Sequence, residues 1–376
     1  MAAGYPVKVD YANGDVLTAT NLNDLAGTVN FAVSETPTTA TQMAGKNAII
    51  NGDFRINQRA FTSTTTSFTY GFDRWLMQAV DGTVTYSAQT FTAGTAPVAG
   101  YEGTNFARLV STGQTLTTAE ARLRQPIEDV RTFAGQTVTV SFWAKASTGT
   151  PNIAIGFTQN FGSGGSTTVV GNGQKFAITS SWARYSKTFA LPSISGKTVG
   201  TSSSLNLNIW TSAGSSQSAA TDSLGIQSIT ADFWGVQLEA GSVATPFQTA
   251  TGTLQGELAA CQRYYYRTTF TATSQPFAMA QNFSATQSRG VTYFPVEMRI
   301  RPTALEQTGT ANQYAVQQFG LLTETCSAVP VYQNSSQILA VTTFTVASGL
   351  TDQEAGMLIS DPTNGANAYL GWSAEL

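Results

Sequence analysis

The sequence predicts an all-β protein: a jelly-roll β-sandwich and a C-terminal β domain, with a short N-terminal arm and helix ahead of them and a short linker helix between. Three observations carry this. From residue 46 to residue 248, short segments alternate apolar and polar residues with period two, as strands with one wet face must. Clusters of Gly, Ser and Thr punctuate them, and helix-period patterns are confined to two places. Two passages hold the denser charge of a charge-poor chain and bracket the region. One is Asn51-Gly52-Asp53-Phe54-Arg55-Ile56-Asn57-Gln58-Arg59 with Phe72-Asp73-Arg74-Trp75; the other is Trp234-Gly235-Val236-Gln237-Leu238-Glu239-Ala240-Gly241. They are expected to be the first and last strands of the sandwich, lying side by side.

Composition narrows the function. A chain of 376 residues can bury a substantial core in two or three domains. Its net charge is −3 and only 11% of its residues are charged, so it has no basic stripe to neutralise phosphates, and nucleic-acid binding is not expected. Histidine is absent, which removes the commonest general base and metal ligand together. Cys261 and Cys326 are the only cysteines; they could pair if adjacent, but the burial habit of free thiols favours two unpaired ones. Met1-Ala2-Ala3-Gly4-Tyr5-Pro6 lacks the basic and apolar regions of a signal peptide, and no apolar run approaches the ~20 residues of a membrane span, so no membrane insertion is expected.

Residues 1–45 read as an arm. Val7, Val9 and Tyr11 alternate, Asn13-Gly14 signals a turn, and Thr20-Asn21 caps a helix with Leu22, Leu25 and Val29 on one face. That apolar face needs a partner: either the chain's own domain, or a larger particle or further copies of the chain. Ser34 to Ala44 is a Thr-rich linker. In residues 46–248, Ala48-Ile50, Thr83-Tyr86, Phe106-Val110, Ala121-Gln125, Val138-Ala144, Ile153-Phe157, Ala183-Phe189, Leu205-Trp210 and Ile226-Leu238 read as strands. The Gly-rich segments between them precede no helix with Lys-Ser/Thr and are hairpin loops rather than phosphate cradles. In residues 249–266, Leu254, Leu258, Cys261 and Tyr265 recur at 4-3-4 spacing, the stripe of a linker helix that packs on a sheet or on symmetry mates. In residues 267–376, Phe294-Pro302 reads as an extended passage bounded by prolines, and Ala315-Phe319, Ile338-Val346 and Ala368-Leu376 read as strands.

Sugar recognition needs aromatic faces for the ring and amides or carboxylates for its hydroxyls. The sandwich carries Trp75, Trp143, Tyr185 and Trp210 among many Asn and Gln; Trp143, Trp210 and Tyr185 are the candidate carbohydrate contacts. Glycoside hydrolysis needs two carboxylates across a cleft, and the acidic residues here are scattered without a pairing pattern. Gly162-Ser163-Gly164 is no strand-to-helix elbow and has no histidine to serve it, so an enzyme is not expected. Asp73-Arg74 beside Trp75 reads as a structural ion pair or loop anchor. Tyr264-Tyr265-Tyr266 between Arg263 and Arg267 is either an interface patch or a helix end packed on the C-terminal domain.

Several passages, in order, resemble bacteriophage tail-fibre and virion appendage proteins. They are Gly14-Asp15-Val16-Leu17-Thr18-Ala19, Ala48-Ile49-Ile50-Asn51-Gly52-Asp53-Phe54 with Asn57-Gln58-Arg59, Asp73-Arg74-Trp75, and Gly235-Val236-Gln237-Leu238-Glu239-Ala240-Gly241 with Thr245-Pro246-Phe247. Glu257-Leu258-Ala259-Ala260-Cys261-Gln262-Arg263-Tyr264-Tyr265, Pro295-Val296-Glu297-Met298-Arg299 and the closing Ala374-Glu375-Leu376 continue the series. The resemblance implies a subunit located in the virion, made in the host cytoplasm, docked to other virion proteins through residues 1–45, trimeric, and taking part in host attachment. Leu22, Leu25, Val29, Leu254, Leu258 and Tyr265 would then line its interfaces. A carbohydrate-binding adhesin, or a head-decorating fibre without a receptor role, stays open. The middle domain is similar to a carbohydrate-binding-module jelly roll. In such modules carboxylates beside the Asn-Gly-x-Phe and Val-Gln-Leu-Glu strands often hold a structural calcium, which places Asp53 and Glu239 as its ligands; Arg55 stands where the modules usually carry an acidic residue.

Overall fold

The computed structural model describes residues 45–319 and 322–376. The expected interface residues Leu22, Leu25 and Val29 lie outside them. A six-strand layer and a seven-strand layer built from period-two segments face each other over one apolar core. The first sheet contains β1 (Ser63–Thr64), β4 (Thr83–Thr90), β5 (Asn105–Thr112), β7 (Thr137–Ala146), β11 (Ala183–Ala190) and β13 (Ile229–Ala240), in the order β1-β4-β5-β13-β7-β11. The second contains β2 (Thr69–Tyr70), β3 (Leu76–Val80), β6 (Glu120–Ile127), β8 (Asn152–Asn160), β10 (Gln174–Ala177) and β12 (Ser204–Ala213), in the order β10-β8-β12-β6-β3-β2, with the short β9 (Val169–Val170) added beside β8. Every strand pairing among the described residues is antiparallel, so each strand keeps one face inward. Val138, Val140, Phe142 and Ala144 of β7 meet Leu205, Leu207 and Ile209 of β12 in that core.

The first charged passage is not a strand. Asn51 and Phe54 have φ of 57° and 55°, a left-handed backbone that breaks a ladder. The passage still lies against β13: Ala48 donates its N–H to Leu238 at 2.9 Å and Val236 donates to Gly52 at 2.9 Å. Gly52 is required there, because a Cβ would come within 2.1 Å of the Val236 carbonyl oxygen. Asn51 locks the turn. Its Nδ2 donates to the carbonyls of Ile56 and Asp73, its Oδ1 accepts from the Ile56 N–H, and its own carbonyl accepts from Trp75 Nε1 at 2.9 Å. β13 carries an irregularity between Trp234 and Gln237, where Gly235 (φ 64°) leaves room for the Trp143 ring.

The helix after the sandwich, α2 (Leu254–Gln262), follows a one-turn α1 (Ser218–Thr221). Thr253 caps α2 by accepting the Gly256 N–H at 3.1 Å. The expected stripe is not its buried face. Leu254 is 47% exposed and Leu258 half-buried, whereas Glu257 and Cys261 are buried. Tyr265 lies beyond the helix, as the first residue of β14 (Tyr265–Thr269). Glu257 is held because it accepts the N–H of Asn51 at 2.8 Å and of Thr251 at 2.7 Å, so the helix anchors the turn beneath it. Cys261 and Cys326 are buried and unpaired.

The C-terminal part is a closed barrel, in the order β15-β16-β20-β19-β18-β21, with a three-strand sheet, β14-β22-β17, beside it. Its strands are β15 (Pro276–Ser284), β16 (Gln287–Tyr293), β17 (Leu305–Gln307), β18 (Tyr314–Gln318), β19 (Thr323–Ser335), β20 (Leu339–Val346), β21 (Ala355–Ser360) and β22 (Tyr369–Ser373). The Tyr-Arg cluster packs between this part and the sandwich: the Arg74 guanidinium lies 3.5 Å over Tyr264 and that of Arg59 3.5 Å over Tyr265. Arg74 pairs with Glu375 rather than with Asp73. Asp73 accepts from the N–H and Nε2 of Gln58 at 2.9 and 2.5 Å. No helix among the described residues is long and apolar enough to cross a membrane.

Candidate functional site

The outer face of the second sheet is built by two strands whose alternation is strict. On β6, Ala121, Leu123 and Ile127 point into the core and Glu120, Arg122 and Arg124 point out; on β12, Leu205, Leu207 and Ile209 point in and Asn206, Asn208 and Trp210 point out. The register sets these residues in rows. Gln78, Arg122, Trp210 and Ala154 form one, Leu76, Arg124, Asn208 and Gly156 the next, and Pro126, Asn206 and Thr158 a third. α1 bounds the face at the β8 end, where Ala220 and Leu224 pack with Ala154 and Trp210 and the Ala220 carbonyl sits over Gly156. The chain's last residues bound the opposite end, with Tyr70 donating to the Leu376 carbonyl at 2.8 Å.

The face is polar and only partly self-satisfied. Glu120 accepts from Gln78 Nε2 at 2.7 Å and from Gln217 Nε2 at 2.8 Å, and pairs with Arg122 at 3.2 Å. The Arg122 guanidinium stacks 4.2 Å over the Trp210 ring. Arg124 donates to Gln78 Oε1 at 3.3 Å, and Asn208 Nδ2 donates to Thr158 Oγ1 at 3.2 Å. Four buried polar atoms find no partner among the described residues: Arg122 Nε, Arg124 Nε, Asn208 Oδ1 and Trp210 Nε1. Burial pulls the Arg122 guanidinium down to about 10, against the raising effect of Glu120, and burial lowers Arg124 as well. Asn206, Asn208 and Trp210 are 3%, 2% and 1% exposed, so a polyhydroxylated ligand meets the half-buried Arg122 and Arg124 first and reaches the amides and the indole only when those side chains move aside.

The three expected aromatic contacts do not share a surface. Trp210 is on this face but only 1% exposed, covered by Arg122 and Leu224. Trp143 is on the outside of the other sheet, half-buried, under the Arg184 guanidinium at 4.9 Å and edge-on to Trp234 and Phe247. Tyr185 packs at the sandwich edge against Phe176 and Phe142, and its hydroxyl accepts the Thr179 N–H at 2.9 Å.

Asp53 and Glu239 are not brought together as a calcium pair. Glu239 is fully buried and its oxygens are taken: they accept from Gln237, from the Thr245 N–H and from the Thr245 hydroxyl, and Lys46 lies at 3.3 Å. These bonds hold its pKa low despite burial, which acts to raise it. Asp53 accepts from the Tyr101 hydroxyl at 2.7 Å and faces a pocket lined by Arg55, Tyr101 and Glu257. Among the described residues no group of three carboxylates or thiols is gathered where it could hold a metal ion.

Arg122, Arg124, Asn206 and Asn208 are the residues that sequence reasoning passed over. Glu120-x-Arg122-x-Arg124 and Asn206-x-Asn208-x-Trp210 are visible as outward positions of two strands, but nothing local tells that β6 and β12 are neighbours.

Curated proteins give no match. Among solved structures, one described as "CBM4 structure and function" is 17% identical and covers 51% of this chain and 98% of its own, at a TM-score of 0.29. A family 11 carbohydrate-binding module from Clostridium thermocellum, in complex with a β-1,3-1,4-mixed-linked tetrasaccharide, is 13% identical over 49% of this chain and 98% of its own, at a TM-score of 0.30. The enzymatically active domain of tailspike protein 4 from bacteriophage CBA120 is 15% identical over 52% of this chain and 22% of its own, also at 0.30. Residues 46–215, the greater part of the sandwich, match the carbohydrate binding domain family.

Proposed function

We propose that the sandwich is a non-catalytic glycan-binding module whose ligand face is the outer surface of the second sheet, within a subunit of a bacteriophage appendage that contacts the host surface. The observation that carries the glycan reading is the match of residues 46–215 to the carbohydrate binding domain family. The amide-rich rows supply the groups such a ligand needs. The non-catalytic part is supported by Glu120, which lies on the same face just beyond those rows and whose two oxygens are held by Gln217 and Gln78 rather than poised across a cleft from a second acid. The virion part rests on the ordered sequence passages described above, with residues 1–45 as the docking arm to other virion proteins or to the chain's own copies in a trimer.

A glycan array followed by calorimetric titration tests the module. Wild-type protein is expected to bind at least one oligosaccharide, and the Asn206→Ala/Asn208→Ala variant to bind it roughly tenfold more weakly, the loss of one or two ligand hydrogen bonds. Absence of binding to every glycan, or affinity untouched by the double substitution, would sink this reading.

A further inference from the structure

Among the arginines that the fold buries or half-buries, Arg124 in the sandwich and Arg289 in the barrel are under-spent, and Arg289 is stacked 3.8 Å over Phe283. Arg74 meets Glu375, Arg108 meets both oxygens of Asp232 at 2.7 and 2.9 Å, and Arg122 meets Glu120. Arg299, which has no carboxylate, gives its donors to three oxygens at 2.9, 3.2 and 2.9 Å: Ala374 O, Ser202 Oγ and Glu375 O. Arg124 makes one bond, at 3.3 Å to Gln78, and among the described residues no carboxylate lies within 4 Å of it. Its Nε is buried without a partner. Its neighbours across the ladder are Leu76 and Asn208, neither of which carries a charge.

We propose that Arg124, with Arg122 two residues along the same strand, recognises a carboxylate on an acidic glycan, so that the ligand of this face is a uronic-acid-type oligosaccharide. This rests on the glycan reading above. The planar guanidinium presents paired donors that match the two oxygens of a carboxylate, whereas Arg122 is already engaged by Glu120 and stacked on Trp210. Burial of the charge without a counterion disfavours the empty face and favours an anion that restores neutrality.

Titration of the full chain with hexagalacturonate, its methyl ester, cellohexaose and sulfated cellohexaose tests this without any variant. The acid is expected to bind roughly ten- to a hundredfold more tightly than its ester, the range for a charge-assisted hydrogen bond. Arg124→Gln is expected to remove that preference, and Arg124→Lys, which keeps the charge but not the fork, to restore only part of it. Equal affinity for acid and ester, or an acid preference that survives in a folded Arg124→Gln, overturns the inference and leaves the glycan module standing. Stronger binding of the sulfated chain than of the uronate overturns the choice of carboxylate. No binding by any of the four overturns the inference, and if the glycan array is also blank the module reading falls with it.

Discussion

Replacing Arg74 with methionine is expected to lower the unfolding free energy by about 3–5 kcal/mol, the range for breaking a buried ion pair from one side. Arg74 is 1% exposed and sits where the sandwich meets the C-terminal part. Its guanidinium donates to Glu375 and to the Pro126 carbonyl and lies flat over Tyr264. Without it, Glu375 keeps only Arg59, at 3.6 Å, and stays almost wholly buried. The penalty therefore comes from a stranded carboxylate and an open space beside Tyr264, more than from a lost attraction. Chemical denaturation of the single variants and of Arg74→Met/Glu375→Gln checks this. The double variant is expected to be less destabilised than the sum of the two singles, because removing both charges leaves neither stranded. Additive losses would show that the two residues act independently.

Stability is expected to fall as pH rises from 4 to 7 through a single residue, Asp73. Its carboxyl is fully buried, and desolvation pushes it up to about 6, against the lowering effects of Arg59 and of two hydrogen bonds from Gln58. The folded state therefore holds this proton more tightly than the unfolded chain does. The stabilisation is complete below the ordinary carboxylate pKa of about 4 and is lost as pH rises through about 6, with an amplitude of up to about 3 kcal/mol. Other carboxyls are shifted as well: burial raises Glu257, and the hydrogen bonds on Glu239 hold it low. The readout is accordingly the difference between wild type and Asp73→Asn. Melting temperatures of the two proteins are expected to diverge between pH 4 and pH 7, with the wild type losing more. Parallel curves would contradict the assignment.

The sandwich was largely legible because its strands have an inside and an outside of opposite polarity. β6 and β12 show this residue by residue, and both were read from their alternation. The Asn51 turn was read as a strand because its apolar residues point the right way, while its left-handed φ values and its side-chain-to-backbone bonds leave no periodic trace. Tyr265 was read onto the helix because a buried aromatic three or four residues past Cys261 looks the same on a helix stripe or on a strand that begins there. Much of the barrel escaped for a further reason: polar side chains share its interior with the apolar cluster of Val316, Phe344 and Leu358. Asn282, Ser288, Thr292 and Thr342 are buried, while Met279, Phe283 and Tyr293 are exposed, so the contrast that marks a strand is lost in β15 and β16. The candidate site was half legible. Its residues stood at outward positions of recognisable strands, but their convergence depends on which strands are neighbours, and that is a non-local property. Single aromatics were the weaker guide, since Trp143 and Trp210 lie on opposite faces of the molecule.

A crystal structure of the protein with an oligosaccharide shown to bind in solution tests the central claim most directly. The account predicts sugar over the rows of Arg122, Arg124, Asn206 and Asn208, between α1 and the last residues of the chain. A ligand seated instead at Trp143 on the opposite sheet, or on the barrel, with the second sheet bare, would contradict it.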